Sequence, residues 1–386
     1  MAPLAALAFI SLGLPDGLLG VAWPSMRAAF GVELDALGLL LAAATGGYVV
    51  SSFSSGRLLR HVNLGLVLAA SCSLTALGLL GFAAATQWLA ILGLGALLGL
   101  GAGAIDAALN TYVATHHSAR MLNWLHACFG VGAAAGPLIM TAVLRRGSSW
   151  RAGYALVGAA QFALAACFVV TVRQWPRGDG SSHDAPRGAS STMGATLRLP
   201  AVWLGMATFV AYAGIEASLG VWTYTLLTEG RGMATAPAGV LASLFWGGMT
   251  AGRLAAAAGG GLIPVRQIMR AAIAAIAVGT ALILVNANTA TTAVGLLLAG
   301  LASGPIFPSL IATTPIRVGK DHAANTVGFQ IAASAIGLSV IPGLVGLAAA
   351  RLGMETIARL FVALAGVLIL MYGLLERLTG SGDRTA

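Results

Sequence analysis

The sequence predicts an all-α polytopic membrane protein, twelve transmembrane helices arranged as two six-helix repeats. Three observations lead there. The chain has 386 residues, 58% hydrophobic and only 9% charged, where a soluble domain needs roughly 25% charged residues to cover its surface. Twelve apolar stretches of about 20 residues, the length that spans a bilayer, follow one another. The first six stretches and the last six carry matching motifs.

The stretches run near 4–26, 34–56, 63–84, 88–114, 121–144, 152–172, 198–227, 235–258, 267–287, 291–315, 323–349 and 353–375. The first lacks a basic n-region and a clean small-residue cleavage site, so it reads as a retained helix. The longest polar stretch, 173–197, is rich in Gly, Ser, Pro and charge and reads as a cytoplasmic linker. It separates an N-terminal bundle, 1–172, from a C-terminal bundle, 198–386. With both termini inside, fourteen of the 21 Lys and Arg residues fall on the cytoplasmic side and seven outside, the bias expected of an inner-membrane protein. The net charge of +9 is thereby explained without nucleic acid. Cys72, Cys128 and Cys167 all fall inside spans and read as packing residues, with no metal site.

The halves align at three places. Asp16 and Leu19-Gly20-Val21 match Glu216 and Leu219-Gly220-Val221 at an offset of 200. Gly56-Arg57-Leu58 matches Gly252-Arg253-Leu254, and Pro137 matches Pro342, at similar offsets. A parallel duplication of a six-helix unit is the plan of major-facilitator transporters, whose substrate site lies near the bilayer midplane between the halves.

Asp16, Asp106 and Glu216 each interrupt a long apolar run. A carboxylate at that depth is expensive and faces the bundle interior by default. Such acids can load and release a proton during a transport cycle and so couple it to the gradient. Asp106 and Asn110 share a face of span 4, Asn123 and His126 a face of span 5, and Tyr212 and Glu216 a face of span 7. Gln330 sits early in span 11. Trp222 and Phe307 are candidate walls for a solute, with Trp23, Trp124 and Trp246 as further candidates, while Trp88, Trp150 and Trp23 also suit an interfacial belt. Arg57 and Arg253 sit at cytoplasmic helix ends, where they suit an inward gate. The cavity is therefore expected to offer acids, amides, a His and indoles but no cation, which favours a neutral polyhydroxy solute or an organic cation over an anion. The glycines of span 4 (93, 95, 99, 101 and 103) read as close helix packing.

The segments LPDGLLGVAWPSM (14–26), GAIDAALNTYV (103–113), YAGIEASLGVW (212–222), SLFWGGMTAGRL (243–254) and GPIFPSL (304–310) resemble the fucose permease-like branch of the major facilitator superfamily. The resemblance implies the major facilitator fold, with Asp16 and Asp106 at the positions of the proton- and sugar-linked acids and Asn110 at that of an asparagine one turn on. The chain departs from that pattern at His126 and Glu216, where the permease has glutamines, and at Phe129, where it has an asparagine. Its Gly56-Arg57-Leu58-Leu59-Arg60 lacks the usual Asp. The expected function is proton-coupled symport of a small, neutral, sugar-like solute by alternating access. The alternative is a proton-coupled antiporter exporting organic cations or drugs, since Gly132 to Pro137 resembles part of an antiporter motif. An enzyme is not expected, as no nucleophile–base pair or phosphate loop is present. Nor is a cofactor, the proton gradient (or sodium) being the drive. The expected partners are the solute and the bilayer, with the protein a monomer.

Overall fold

The computed structural model describes residues 2–116, 119–176, 191–259 and 262–380. It contains α1 (Ala2–Phe30), α2 (Ala36–His61), α3 (Leu64–Ala84), α4 (Trp88–His116), α5 (Ala119–Arg145) and α6 (Trp150–Val170) in the first half. A four-residue helix, α7 (Met193–Thr196), leads into α8 (Pro200–Thr225), α9 (Thr235–Ala258), α10 (Val265–Val285), α11 (Thr289–Ser303), α12 (Ile306–Val318), α13 (Lys320–Leu352) and α14 (Thr356–Gly380). No strand occurs among the described residues. Eleven segments are both long and apolar enough to cross a membrane. The twelfth expected span is α9, a 24-residue helix below that apolarity. It packs between α5 of one half and α11 of the other, so protein rather than lipid covers its sides.

Two expectations need correction. Span 10 is not one helix: α11 stops at Ser303 and α12 starts at Ile306, because Pro305 has no amide hydrogen for the carbonyl of Leu301. The 173–197 segment is not uniformly irregular either. Its start forms a 3-10 turn over Val172–Gln174 and its end forms α7, while residues 177–190 lie outside the described part. Ser191 and Thr196 are bonded to His322 at the start of α13, at 2.6 and 3.0 Å.

The packing repeats between halves. Helix α1 lies on α5 as α8 lies on α13; α2 pairs with α4 as α9 pairs with α11; α3 pairs with α6 as α10 pairs with α14. Across the interface α5 meets α9, α13 meets α2 and α1 meets α8. At the last contact Gly20 faces Gly220, where an added Cβ would sit 2.7 Å from the Gly220 carbonyl. These are the repeat-matched glycines, so the pseudo-twofold axis passes close to this point.

The twelve crossings put both termini at one end of the bundle. At the far end the halves are joined by Gly38 against Gly343, by Asp35 against Gly346, and by an Arg27–Glu229 ion pair at 2.7 Å. Among the described residues α4 has no extended packing against α11 or α12, and Gly56 near the terminal end of α2 has nothing within 4 Å. The halves therefore meet at the middle and the far end.

Aromatic residues placed by sequence in an interfacial belt are partly internal. Trp23 and Trp150 are buried. With Phe30, Trp88 and Tyr154 they form an interlocked group at the far end of the first half, centroids 5.8 to 6.1 Å apart, with Arg151 stacked on Trp150 at 4.5 Å. Cys167 is exposed, unlike Cys72 and Cys128.

Gly99 packs α4 onto α2, and a methyl there would overlap the Ala44 carbonyl, whereas Gly93 faces open space. Gly99→Ala is expected to lower the melting temperature in detergent by several degrees, since overpacking costs about 1–3 kcal/mol. Gly93→Ala should leave it unchanged or raise it slightly, through helix propensity.

In the far-end loops Arg231 grips Glu355 with two bonds, 2.7 and 3.0 Å, and donates to the Ile283 carbonyl at 2.9 Å. The bond from Arg231 holds the Glu355 carboxyl below its ordinary value of 4.5. A depressed carboxyl stabilises above its unfolded pKa and loses that contribution as pH falls through its folded one. Wild type should therefore lose more thermal stability than Glu355→Gln when melts at about pH 7 and pH 3 are compared.

Candidate functional site

A belt of polar residues crosses the interface at mid-depth and on its terminal side. In the first half, α2 and α4 lie close enough for Tyr48 to donate to one oxygen of Asp106, at 2.5 Å. Asn110, one turn along α4, donates to the other at 2.9 Å. The Asn110 side-chain oxygen is buried and has no protein partner. Tyr48 is a site residue that sequence reading missed.

Asp16 follows Pro15 in α1. It is enclosed by helices, yet its side chain is water-accessible, so it faces internal space rather than protein atoms. No protein hydrogen bond to its carboxylate is found among the described residues. It lies within the electrostatic reach of Glu216 across the interface and of Tyr48 on α2.

Glu216, in α8, pairs with Arg253 of α9 at 3.9 Å. The side chains are 15% and 19% exposed, too enclosed for a surface pair. This overturns the expectation of a cavity without a cation. Arg253 lies five residues before the end of α9, about 7 Å along the axis, and its long side chain reaches inward instead of capping the helix. Its guanidinium also stands 6.0 Å from the Phe129 ring of α5. His126, one turn earlier on α5, senses Asp106 on one side and Arg253 on the other, and packs edge-on against Phe9 at 5.4 Å. Asp16, Asp106, Asn110, His126, Glu216 and Arg253 thus belong to one polar belt.

Of the remaining expected residues, Tyr212 stands beside Glu216 and Arg253, and the others sit elsewhere. Tyr212 is buried and donates to the Ser303 carbonyl at 2.9 Å, at the break between α11 and α12. Trp222 is buried and donates to the Pro342 carbonyl at 2.9 Å. Gln330 is buried and accepts from Thr314 at 2.9 Å. These three tie helices together within the second half. Phe307 packs edge-on against Phe209 at 5.3 Å. Trp246 is buried with its indole N–H unpaired, and its ring lies against Gly220; Trp124 is exposed. Arg57 is exposed at the terminal end of α2. The side chain of Asn123 lies outside the described residues.

Two backbone contacts aim the charges. Pro137 cannot donate to the carbonyl of Ala133, and Gly17 of α1 closes onto that carbonyl. Pro305 likewise frees the carbonyl of Leu301, and Gly252 of α9 closes onto it. Asp16 and Arg253 are the immediate neighbours of these glycines. On a helix, adjacent side chains diverge by about 100°, so neither can point into the backbone contact.

Residues 5–342 match the family model of the Major Facilitator Superfamily. The chain belongs to that family: it is a secondary transporter that works by alternating access, not an enzyme. Among curated proteins, "Bypass of stop codon protein 6" of Saccharomyces cerevisiae is 24% identical over 390 residues, covering 90% of this chain and 77% of that protein. Among solved structures, the nucleoside transporter NupG, as its D323A mutant, aligns with a TM-score of 0.77 at 13% identity, over 97% of this chain and 98% of that one. A bacterial homologue of the human lysosomal transporter Spinster, inward-facing and unoccupied, gives 0.75 at 14% identity, over 98% and 97%. FucP in the outward conformation gives 0.64 at 17% identity, over 97% and 98%.

Removing one partner of the Glu216–Arg253 pair leaves the other charge poorly compensated, a loss of up to about 3–5 kcal/mol when a pair is buried. The long contact and partial exposure place this case lower, at about 1–2 kcal/mol. Glu216→Gln and Arg253→Gln should each destabilise the protein, and the double variant should be more stable than the two effects added. A double-mutant cycle of denaturation free energies with no coupling would remove the pair from the site.

Proposed function

We propose that the protein is a proton-coupled symporter for a small, neutral, hydroxylated solute, with Asp16, Asp106 and Glu216 as the proton-linked acids. The observation that carries this reading is the group formed by Tyr48, Asp106 and Asn110, with Asp16 and the Glu216–Arg253 pair around it. Hydroxyl groups need donors and acceptors close together. Asp106, the unpaired oxygen of Asn110 and the Tyr48 hydroxyl oxygen accept, while His126 can donate. Because Glu216 offsets the charge of Arg253, the second half contributes a neutral dipole rather than a net cation, which suits an uncharged solute. A nucleoside, the cargo named for NupG, belongs to the same chemical class.

On this reading the two six-helix halves move as units, both termini are cytoplasmic, the membrane is the inner membrane and the working unit is a monomer. His126 and Phe129 line the cytoplasmic side of the cavity, and Arg253 changes partner as the cavity opens and closes. A second reading, antiport of organic cations, draws support from the packing of Gly132 and Gly136 onto α1, beside Asp16. The sign of the internal pH change separates the two when solute is added outside proteoliposomes. Symport acidifies the lumen, and antiport makes it alkaline.

Thermal shift over a panel of sugars, polyols, nucleosides and amines should yield a neutral hydroxylated ligand first. With that ligand, Asp16→Asn and Asp106→Asn should each lower gradient-driven uptake at least ten-fold, and Glu216→Gln should shift the apparent affinity. Full uptake in all three variants would sink the coupling scheme. Uptake that stops when choline replaces sodium would assign the drive to sodium.

A further inference from the structure

Asp16 faces more than the interface between the halves. A cavity of about 60 Å³ lies inside the first half, beside the carboxylate. Its walls include Pro15 and Asp16 of α1, Leu40 and Ala44 of α2, Leu98 of α4 and Tyr154 of α6. The wall is mostly apolar, and Asp16 and Tyr154 are its two residues with a polar side chain. Tyr154 is 1% exposed, and its hydroxyl has no hydrogen-bond partner. A buried hydroxyl without a partner is unusual, and the ordinary remedy is ordered water. One water needs roughly 10–15 Å³ of such space, so the cavity has room for several.

Position gives the cavity a direction. Asp16 is at mid-depth in α1, whereas Tyr154 is four residues from the far-end start of α6, about 6 Å along that helix. The cavity therefore runs from the bilayer centre toward the far face. Above Tyr154 stand Trp150, at 5.8 Å, then Phe30 and the Arg151 guanidinium. Trp23, two turns beyond Asp16 on α1, also keeps a buried, unpaired indole N–H. The aromatic group stands between Tyr154 and the far face. All of these walls belong to helices of the first half, so the space travels with Asp16 when the halves move.

We propose that this cavity is a resident water site bridging the Asp16 carboxylate and the Tyr154 hydroxyl, and that it is the proton's route to Asp16 from the far face, separate from the solute path. The transfer balances simply. A hydronium ion at the far mouth gives up a proton and becomes water, the Tyr154 hydroxyl and the bridging waters each accept one and pass one on, and the Asp16 carboxylate gains one. The charged and titratable groups facing Asp16 from the other helices are Glu216 of α8 and the Tyr48–Asp106 pair of α2 and α4, all on the solute side. The inference rests on the proton-linked role of Asp16.

The test uses the whole protein and the proton itself as the probe. Infrared difference spectra between about pH 5 and pH 9, the range open to an enclosed acid, should show a carboxyl band that disappears in Asp16→Asn. Tyr154→Phe keeps the ring and removes only the hydroxyl. It should shift that band and slow its appearance after a pH jump at least ten-fold. Ala44→Leu, which fills the cavity, should do the same. If the Asp16 band keeps both its position and its rate in Tyr154→Phe, the water route is overturned while the role of Asp16 stands. If wild type and Asp16→Asn give the same spectra, Asp16 carries no proton, and its coupling role falls together with the route.

Discussion

The contact of helix backbones at glycine is the constraint on which this bundle depends. In lipid, an apolar side chain gains little by leaving the bilayer for another helix, so association relies on close packing and on polar contacts. Here many of the close approaches set a glycine against a facing backbone carbonyl, and in two of them proline has left that carbonyl without its usual donor. Gly17 meets Ala133 in this way because of Pro137, and Gly252 meets Leu301 because of Pro305. An approach of this kind suits a weak Cα–H···O contact and satisfies two needs together. It gives an unpaired carbonyl a partner and fixes the rotation of the glycine-bearing helix. The charged neighbour, Asp16 in one case and Arg253 in the other, is then directed toward the interior.

The two halves share this plan and differ in what it delivers. Gly56-Arg57-Leu58 and Gly252-Arg253-Leu254 are matched positions of the repeat. Gly56 faces open space and Arg57 is exposed, whereas Gly252 is packed on Leu301 and Arg253 reaches Glu216. The same motif therefore leaves one arginine at the rim and brings the other into the cavity, according to whether its glycine has a neighbour. The result is electrically asymmetric. The first half brings Asp16 and the bonded Asp106, and the second half brings a compensated pair.

Much of this was legible in the sequence, because solvation leaves a strong mark on a membrane chain. Twelve apolar runs, the duplicated motifs and the acids at Asp16, Asp106 and Glu216 all stand out against an oily background, and the family match confirms the fold they imply. What was not legible depends on which faces meet. Tyr48 sits in an apolar run and has no charge to advertise it; only the closeness of α2 to α4 brings it to Asp106. Trp222 and Gln330 have the right chemistry for a binding site and the right depth, but their partners are a carbonyl and a hydroxyl of neighbouring helices. A helix face can be read from spacing, whereas the helix it meets cannot. The break at Gly304-Pro305 was visible as residues, yet its consequence, a Ser303 carbonyl for Tyr212, needed the fold.

The position of the pseudo-axis bears on how the acids behave through a cycle. Gly20 and Gly220 are matched by the repeat and touch each other, so they lie near the axis that relates the halves. A rocking motion moves the ends of the bundle most and points near its pivot least. The far-end contacts are light: Arg27–Glu229 is about a quarter exposed, the kind of pair that contributes roughly 0–1 kcal/mol, and the others are glycine contacts. They can part while the contact at Gly20 and Gly220 remains. Asp16 and Glu216 each lie four residues before those glycines, about 6 Å along their helices, and so stay close to the pivot. Their relation to each other therefore changes least whichever end is open, and what a rocking motion alters around them is the partner of Arg253 and the access of water to each side.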